Sequence, residues 1–340
     1  MSYDELSGRK QKILQILIDK YITSAEPVSS KDIQEGEMQE FSSATIRSEL
    51  ATLEEMGYLI KPHISAGRMP SPKAYRLYVE KLMQSRPLMS NDLDSLKKHF
   101  DKKCYDVSEI IRSTAKIISD VTNYTSVIVL NDVENVTVNS IKLVDLGKNI
   151  ALIIILTDSG MISDKSIELP DNVGANYFTI ANDMINKLFS GKTVSEISKI
   201  NLNFIKEMEE FRELFDNIIE ILSDYSKNPK VFLEGTNKMF DYPEYNDINN
   251  AKQFLSLIES KERLTEIIDD DNNIEFQLKI GKDVSGIENC AIVTARYMVG
   301  GKEIGHAGVI GPERMNYNKV LQVLSYITKT FKSINEQDEE

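Results

Sequence analysis

Ser42-Ser43-Ala44-Thr45-Ile46-Arg47-Ser48-Glu49-Leu50-Ala51-Thr52-Leu53-Glu54-Glu55-Met56, closed by Gly57, is the stretch on which the fold turns. Two serines open it, and serine is a preferred helix N-cap. A glycine closes it, where a helix end favours left-handed backbone. Between them Ile46, Leu50 and Leu53 share one helical face. The opposite face holds Ala44, Thr45, Ser48, Ala51, Thr52 and Glu55, with Arg47 at its flank. Small side chains let a helix lie close to base edges in a major groove, where hydroxyls donate or accept. The N–H groups of the first turn also favour a phosphate. An ordinary surface helix satisfies the same pattern, so its neighbours decide between the two.

Upstream, Leu14, Leu17, Ile18 and Tyr21 mark an amphipathic helix from near Ser7 to near Thr23. Glu26-Pro27 breaks it, Ser29 or Ser30 caps a short helix from Lys31 to about Glu35, and Gly36 supplies a stop. Downstream, Tyr58-Leu59-Ile60 reads as a strand and Pro62 to Arg68 as a tight loop with a positive charge at its tip. Met69-Pro70-Ser71-Pro72 stops that hairpin, and a further helix carries Tyr75, Tyr78, Val79 and Leu82. Helix-turn-helix followed by a hairpin loop is the layout of a winged helix. In it the wing reaches a neighbouring minor groove or the backbone, and arginine suits a narrow groove. The expected DNA-binding residues are therefore Ser42, Ser43, Thr45, Arg47, Ser48 and Thr52 on the helix, with His63, Ser65, Gly67 and Arg68 in the wing. For His63, contact with phosphate and packing at the base of the wing both stay open.

The charge distribution is uneven. The chain of 340 residues carries a formal net charge of −13, yet residues 1–86 sum to zero. Within 61–86, Lys61, Arg68, Lys73, Arg76, Lys81 and Arg86 face one acid, Glu80. An acidic body is repelled by phosphate and a basic segment attracted, so the pattern orients an encounter with a polyanion.

The remainder reads as an α+β multidomain body. Pro87 to Asp92 is an expected linker, followed by a helix with Ile110, Ile111, Ala115 and Ile118 on one side. Ser126 to Leu130, Val136 to Leu146 and Ile150 to Leu156 read as strands, the last as a central one, with a turn at Asp158-Ser159-Gly160. Helical stripes follow, one of them Phe211, Leu214, Phe215, Ile218 and Leu222, another beginning Phe254, Leu257 and Ile258. Each stripe is either intramolecular core or a dimer surface. Strands return from Phe276 to Ile280 and from Cys290 to Val309, with a hairpin at Gly300-Gly301, before a last helix.

Several chemistries lack their residues. Gly305-His306-Ala307-Gly308 reads as turn glycines, not a phosphate loop. The 3 histidines are scattered, Cys104 and Cys290 lie far apart, and Asp269-Asp270-Asp271 reads as a solvated loop. The expectation is no cofactor, no metal and no catalytic centre. With no apolar run of membrane length and no leader pattern at the start, a cytoplasmic location and no membrane partner are expected.

Four N-terminal stretches carry a resemblance: Glu26 to Ser30, Ser42 to Arg47, Leu53 to Gly57, and Pro62-His63-Ile64-Ser65-Ala66-Gly67-Arg68-Met69-Pro70, with Tyr75-Arg76-Leu77-Tyr78-Val79 after them. Near the other end, Cys290 to Ala295 and Gly305 to Tyr317, including Gly311-Pro312-Glu313-Arg314, continue it. Together they resemble the HrcA family of heat-inducible transcription repressors. Ser48 departs from that family, which commonly has asparagine there. The resemblance implies a winged helix (1–86), a GAF-like domain in two parts (92–164 and 246–335) and a dimerising domain inserted between them (165–245). It implies a homodimer on an inverted-repeat operator of double-stranded DNA upstream of chaperone operons, with the GroE chaperonin modulating activity. Two other classes fit the residues: a regulator whose GAF-like domain binds a metabolite, and an enzyme whose helix-turn-helix contacts only protein.

Overall fold

The computed structural model describes residues 6–63, 66–83, 87–100, 107–130, 136–157, 162–170, 174, 176–200, 211–227, 230–268, 276–284, 287–299 and 302–333. Helix α1 (Gly8–Ser24) buries Ile13, Leu14, Leu17 and Ile18 completely. Ala25 ends it in the left-handed conformation, returning its N–H to the Tyr21 carbonyl at 2.9 Å. Ser29 caps α2 (Ser30–Glu35): its hydroxyl accepts from the Asp32 N–H at 3.2 Å, while the Asp32 carboxylate accepts from the Ser29 N–H at 2.8 Å. That reciprocal pair satisfies donors a helix start leaves over. The hydrogen bonds from Ser29 hold the Asp32 carboxyl below its ordinary value.

Helix α3 (Ser43–Glu55) starts at Ser42, whose hydroxyl accepts from the Thr45 N–H at 3.1 Å. Ile46, Leu50 and Leu53 are fully buried, each worth about 1.5–3 kcal/mol of apolar burial. The limits of all three helices fall within one residue of those expected. Gly57, at φ 78°, turns the chain into β1 (Leu59–Ile60), which pairs antiparallel with β2 (Met69–Pro70). Val28 adds a rung, exchanging two backbone hydrogen bonds of 2.9 Å with Arg68. Gly67 lies against that rung; a Cβ there would sit 2.5 Å from the Val28 carbonyl oxygen, so only glycine fits. Ser71 then caps α4 (Pro72–Leu77), which runs on into a π-helical turn, Tyr78–Leu82.

Beyond this module come α5 (Ser90–Phe100), α6 (Val107–Thr122), β3 (Thr125–Leu130), β4 (Val138–Gly147), β5 (Ile150–Thr157) and β6 (Ile162–Glu168). Next are α7 (Tyr177–Phe189), α8 (Val194–Ser198), α9 (Arg212–Lys227), β7 (Lys230–Glu234), α10 (Ile248–Glu259) and α11 (Lys261–Ile268). The chain closes with β8 (Phe276–Ile280), β9 (Cys290–Val299), β10 (Lys302–Pro312) and α12 (Tyr317–Ser333). The fold is therefore mixed helix and sheet, and its sheets are antiparallel. Helix α5 begins inside the segment expected as a linker. No helix among the described residues is long and apolar enough to cross a membrane.

The larger sheet has the order β7-β3-β10-β9-β8. One face, with Ile128, Val293 and Val309, packs on α6 and α12; the other, with Val127, Ile292 and Ile310, packs on α10 and α11. Gly305 and Gly308, expected in a turn, lie inside β10. Gly305 has φ 154° beside a register shift, and a Cβ there would meet the Val129 carbonyl oxygen at 1.9 Å. Both glycines make room for neighbouring strands.

Strands β3 and β7 are neighbours, so the chain between them leaves the sheet and returns beside its point of departure. The excursion holds the second sheet, order β4-β5-β6, covered on one face by α7 and α9 in a separate core containing Ile153, Ile185 and Phe215. The expected insert, 165–245, differs at both edges. Strands β4 and β5, expected in the larger domain, pair with each other and β6, while β7, expected in the insert, pairs with β3. Alternation marks a half-buried strand without naming its partner. The Phe211 stripe on α9 and the Phe254 stripe on α10 are intramolecular core. Two asparagines of α7 seal the outer edge of β4. Asn186 accepts from the Ile141 N–H at 2.9 Å and donates to its carbonyl at 2.7 Å, and Asn182 does the same for Leu143 at 2.8 and 3.1 Å.

Ser65, Cys104, Asp158-Ser159-Gly160, Asp269-Asp270-Asp271 and Gly300-Gly301 lie outside the described residues.

Candidate nucleic-acid interface

Helix α3 is held from beneath. Its apolar face meets α1 and α2, and Glu49, 8% exposed, lies between Arg9 and Lys10 at 2.8 and 3.0 Å. Burial opposes ionisation of Glu49, but hydrogen bonds from Lys10 and Arg9 outweigh it and keep its carboxyl below the ordinary value. Arg9 also lies over the Phe41 ring, 5.3 Å from its centre. The Ser43 and Ser30 hydroxyls meet at 3.0 Å, joining the starts of α3 and α2.

The outward face is as small and polar as its sequence. Ser42, Ala44, Arg47 and Ser48 are exposed; Ser43, Thr45 and Thr52 are half-buried. Three hydroxyls are engaged locally. Thr45 Oγ1 lies 2.9 Å from Ser42 Oγ, and Thr52 Oγ1 donates to the Ser48 carbonyl at 3.2 Å. A hydroxyl that donates to a carbonyl keeps acceptor capacity for a base amino group. Arg47 takes part in no ion pair among the described residues, and it stands beside the exposed N-terminal turn.

The loop expected as a wing departs from that picture at Arg68. Instead of standing at the tip, Arg68 sits in the rung with Val28, and its guanidinium meets the Glu54 carboxylate at 3.0 Å from both Nε and Nη2. Its side chain is 14% exposed. Gly67 packs on the same segment, so the two tie the hairpin to α3 and to the turn before α2. His63 is exposed, and its carbonyl accepts from the Ala66 N–H at 3.1 Å. The structure thus brings Ser42, Thr45, Arg47, Ser48 and Thr52 together on α3 and puts His63 on the neighbouring loop.

Among the described residues, Arg68, Lys73 and Arg76 of the basic stretch are engaged inside the molecule. Lys73 donates to the Met56 carbonyl at 2.9 Å, closing the end of α3, and lies 4.2 Å from the Tyr58 ring centre. Arg76 bonds the Ile280 carbonyl and the Asp283 carboxylate of the body. Sequence reasoning missed Glu49 and Glu54 as anchors, because their partners lie 40 and 14 positions away.

Comparison with known proteins agrees across the chain. A family model described as the HrcA protein C-terminal domain matches residues 108–321. A protein of Acetivibrio thermocellus named heat-inducible transcription repressor HrcA is 34% identical over 339 residues, covering 96% of this chain and 95% of its own. One of Clostridium tetani with the same name is 36% identical over 349 residues, covering 98% and 97%. A crystal structure at 2.2 Å resolution, described as that of a hypothetical protein, superposes with a TM-score of 0.65 at 19% identity. It covers 97% of this chain and 99% of its own, which shows a shared fold.

Proposed function

The chain belongs to the HrcA family of heat-inducible transcription repressors, and from that premise we propose that it represses heat-shock genes by binding their operators as a dimer. It is a negative regulator of heat-shock transcription. Residues 1–86 act as a winged helix-turn-helix with α3 as the recognition helix. Arg47, Ser48, Ser42, Thr45 and Thr52 face the groove, while Ser43, expected there, instead ties the start of α3 to Ser30; His63 and Ser65 meet the backbone from the wing, and Gly67 with Arg68 holds the wing in place. The observation that carries this reading is the exposed, uncommitted Arg47 and Ser48 beside the capped start of a helix whose opposite face is fully buried.

The five-stranded sheet with its covering helices acts as a GAF-like domain. The insert, whose described residues fall between 136 and 227, serves dimerisation, and the outer face of its sheet supports that role. Val144, Leu146 and Ile150 are 39%, 55% and 37% exposed there, and Val144 pairs across to half-buried Leu152. Contiguous exposed apolar surface of this kind marks an association site. A second copy covers it, and two-fold symmetry then presents two α3 helices to an inverted repeat. Exposed Phe240 and Ile248, outside the insert, support a GroE-type chaperonin as the partner that brings the repressor to its active form.

The test is a gel-shift titration against a chaperone-type inverted repeat, with scrambled DNA of equal length as competitor, at several salt concentrations. Tight, competitor-resistant binding is expected. Equal affinity for scrambled DNA at every salt concentration would sink the reading.

A further inference from the structure

The N-terminal module is seated on the body from two sides. On one side Arg76 of α4 grips the turn after β8, donating to the Ile280 carbonyl at 3.3 Å and to the Asp283 carboxylate. Gly281 in that turn has φ 59°; a Cβ there would lie 2.7 Å from Glu313 Oε1 and 3.4 Å from Pro72 Cγ. The 3.4 Å approach to Pro72 is ordinary van der Waals contact, so this turn of the body touches the start of α4.

On the other side Arg314, between β10 and α12, reaches back. Its guanidinium pairs with both carboxylate oxygens of Glu244, and its Nη1 donates to the Ile22 carbonyl at 3.2 Å. Ile22 lies in the last turn of α1, where carbonyls lack intrahelical partners. Arg314 thus caps a helix of the module while anchored to the body. Its side chain is 11% exposed and that of Glu244 19%, so neither charge leaves the other without a desolvation cost. Between the two grips Tyr75 of α4 packs on Tyr317 of α12, ring centres 5.8 Å apart, both buried. One apolar cluster runs unbroken from Ile13 and Leu50 to Val309 and Val320.

We propose that this socket sets the direction of α3 relative to the body, making Arg314 and Arg76 positioning residues that determine which half-site spacing the dimer accepts. The proposal rests on the reading that a dimer of this chain binds an inverted repeat. A module on a loose tether would find its half-site at many spacings. A module seated by two arginine grips and a continuous core carries the body's two-fold geometry to both recognition helices. The pair then fits half-sites at one separation and meets the wrong face of the duplex half a turn, about 5 base pairs, away.

The experiment measures binding of wild type, Arg314→Ala and Arg76→Ala to one half-site and to inverted repeats whose spacer changes in single base pairs. Sedimentation and thermal melting report dimer state and folding; Arg76, 35% exposed, provides a variant that folds if Arg314→Ala does not. Simultaneous engagement adds about 100-fold over one half-site, so wild type is expected to lose about that factor half a turn from its best spacing. Both variants are expected to lose about tenfold or less across the series while keeping half-site affinity within about twofold. Variant profiles with the wild-type peak and width overturn the proposal, as does a parallel fall in half-site and repeat affinity with the peak retained. Wild type that binds no inverted repeat overturns the functional reading itself, and the proposal with it.

Discussion

Arg47 and Arg68 look equivalent in a sequence, and their surroundings separate them. Arg47 is exposed at the flank of α3, whereas Arg68 is held by Glu54. Arg47→Ala is expected to leave thermal stability unchanged and weaken operator binding. The loss is about 1–3 kcal/mol if the contact is to a base edge, or a salt slope shallower by about 0.9 if it is to a phosphate. Arg68→Ala is expected to lower melting temperature and affinity together, because it frees the β1-β2 hairpin from α3. Calorimetry beside the titration checks both; an Arg47→Ala protein with wild-type affinity and slope removes Arg47 from the interface. Polar positions on α3 were legible because helical periodicity is local. The pairings of Glu49 with Arg9 and Glu54 with Arg68 were not, because only folding brings those positions together.

Glu313 permits a prediction of the same kind. Burial pushes its carboxyl up to about 7 from an ordinary 4.5, with the nearby Glu288 charge acting in the same direction and a hydrogen bond at Asn289 and the Arg76 charge opposing. The folded state therefore holds a proton that the unfolded state has released between those values. The contribution of this carboxyl to stability is full below about 4.5 and is lost as pH rises through 7. Glu313→Gln removes the ionisation. It is expected to melt higher than wild type at pH 8, by an upper bound of about 3 kcal/mol, with the difference shrinking toward pH 4.5. Parallel melting curves for the two proteins across that range would show that Glu313 ionises freely.

At the scale of elements, caps and turns were written in the sequence: Ser42 before α3, Ser29 before α2 and Gly57 after α3 each perform the expected local task. What an element pairs with was not written there. Strand β5 carries a continuous apolar run and is central, yet in the smaller sheet. The sealing of β4 by Asn182 and Asn186 had no local signal, because it places two amides of a helix where a strand would pair. Edge strands left open invite pairing with other chains. Asn186→Ala leaves the Ile141 N–H and carbonyl without that partner, at about 1–3 kcal/mol for each buried group. A lower denaturant midpoint and faster hydrogen exchange at the Ile141 amide are expected. Unchanged exchange there would mean that α7 does not guard the edge in solution.

At the scale of the molecule, the strongly acidic body and the locally neutralised module need a common explanation. Arg9, Lys10, Arg68, Lys73 and Arg76 are all engaged internally and are not free to meet a phosphate backbone. On the proposed dimeric reading, linking two modules multiplies weak half-site contacts. This gives the outer face of β4-β5-β6 its importance. Leu146 and Ile150 stand exposed on it, while the opposite face of the same sheet is sealed by α7 and α9. Leu146→Asp places a charge on that face without touching the insert's core. Monomers in sedimentation at concentrations where wild type is dimeric are expected, with melting of the monomer fold little changed. Operator affinity should fall to that of a single half-site, a loss of about 100-fold or more. A Leu146→Asp protein that remains dimeric and binds the repeat as wild type would move the dimer contact to another surface, while affinity lost without dissociation would separate operator binding from dimerisation altogether.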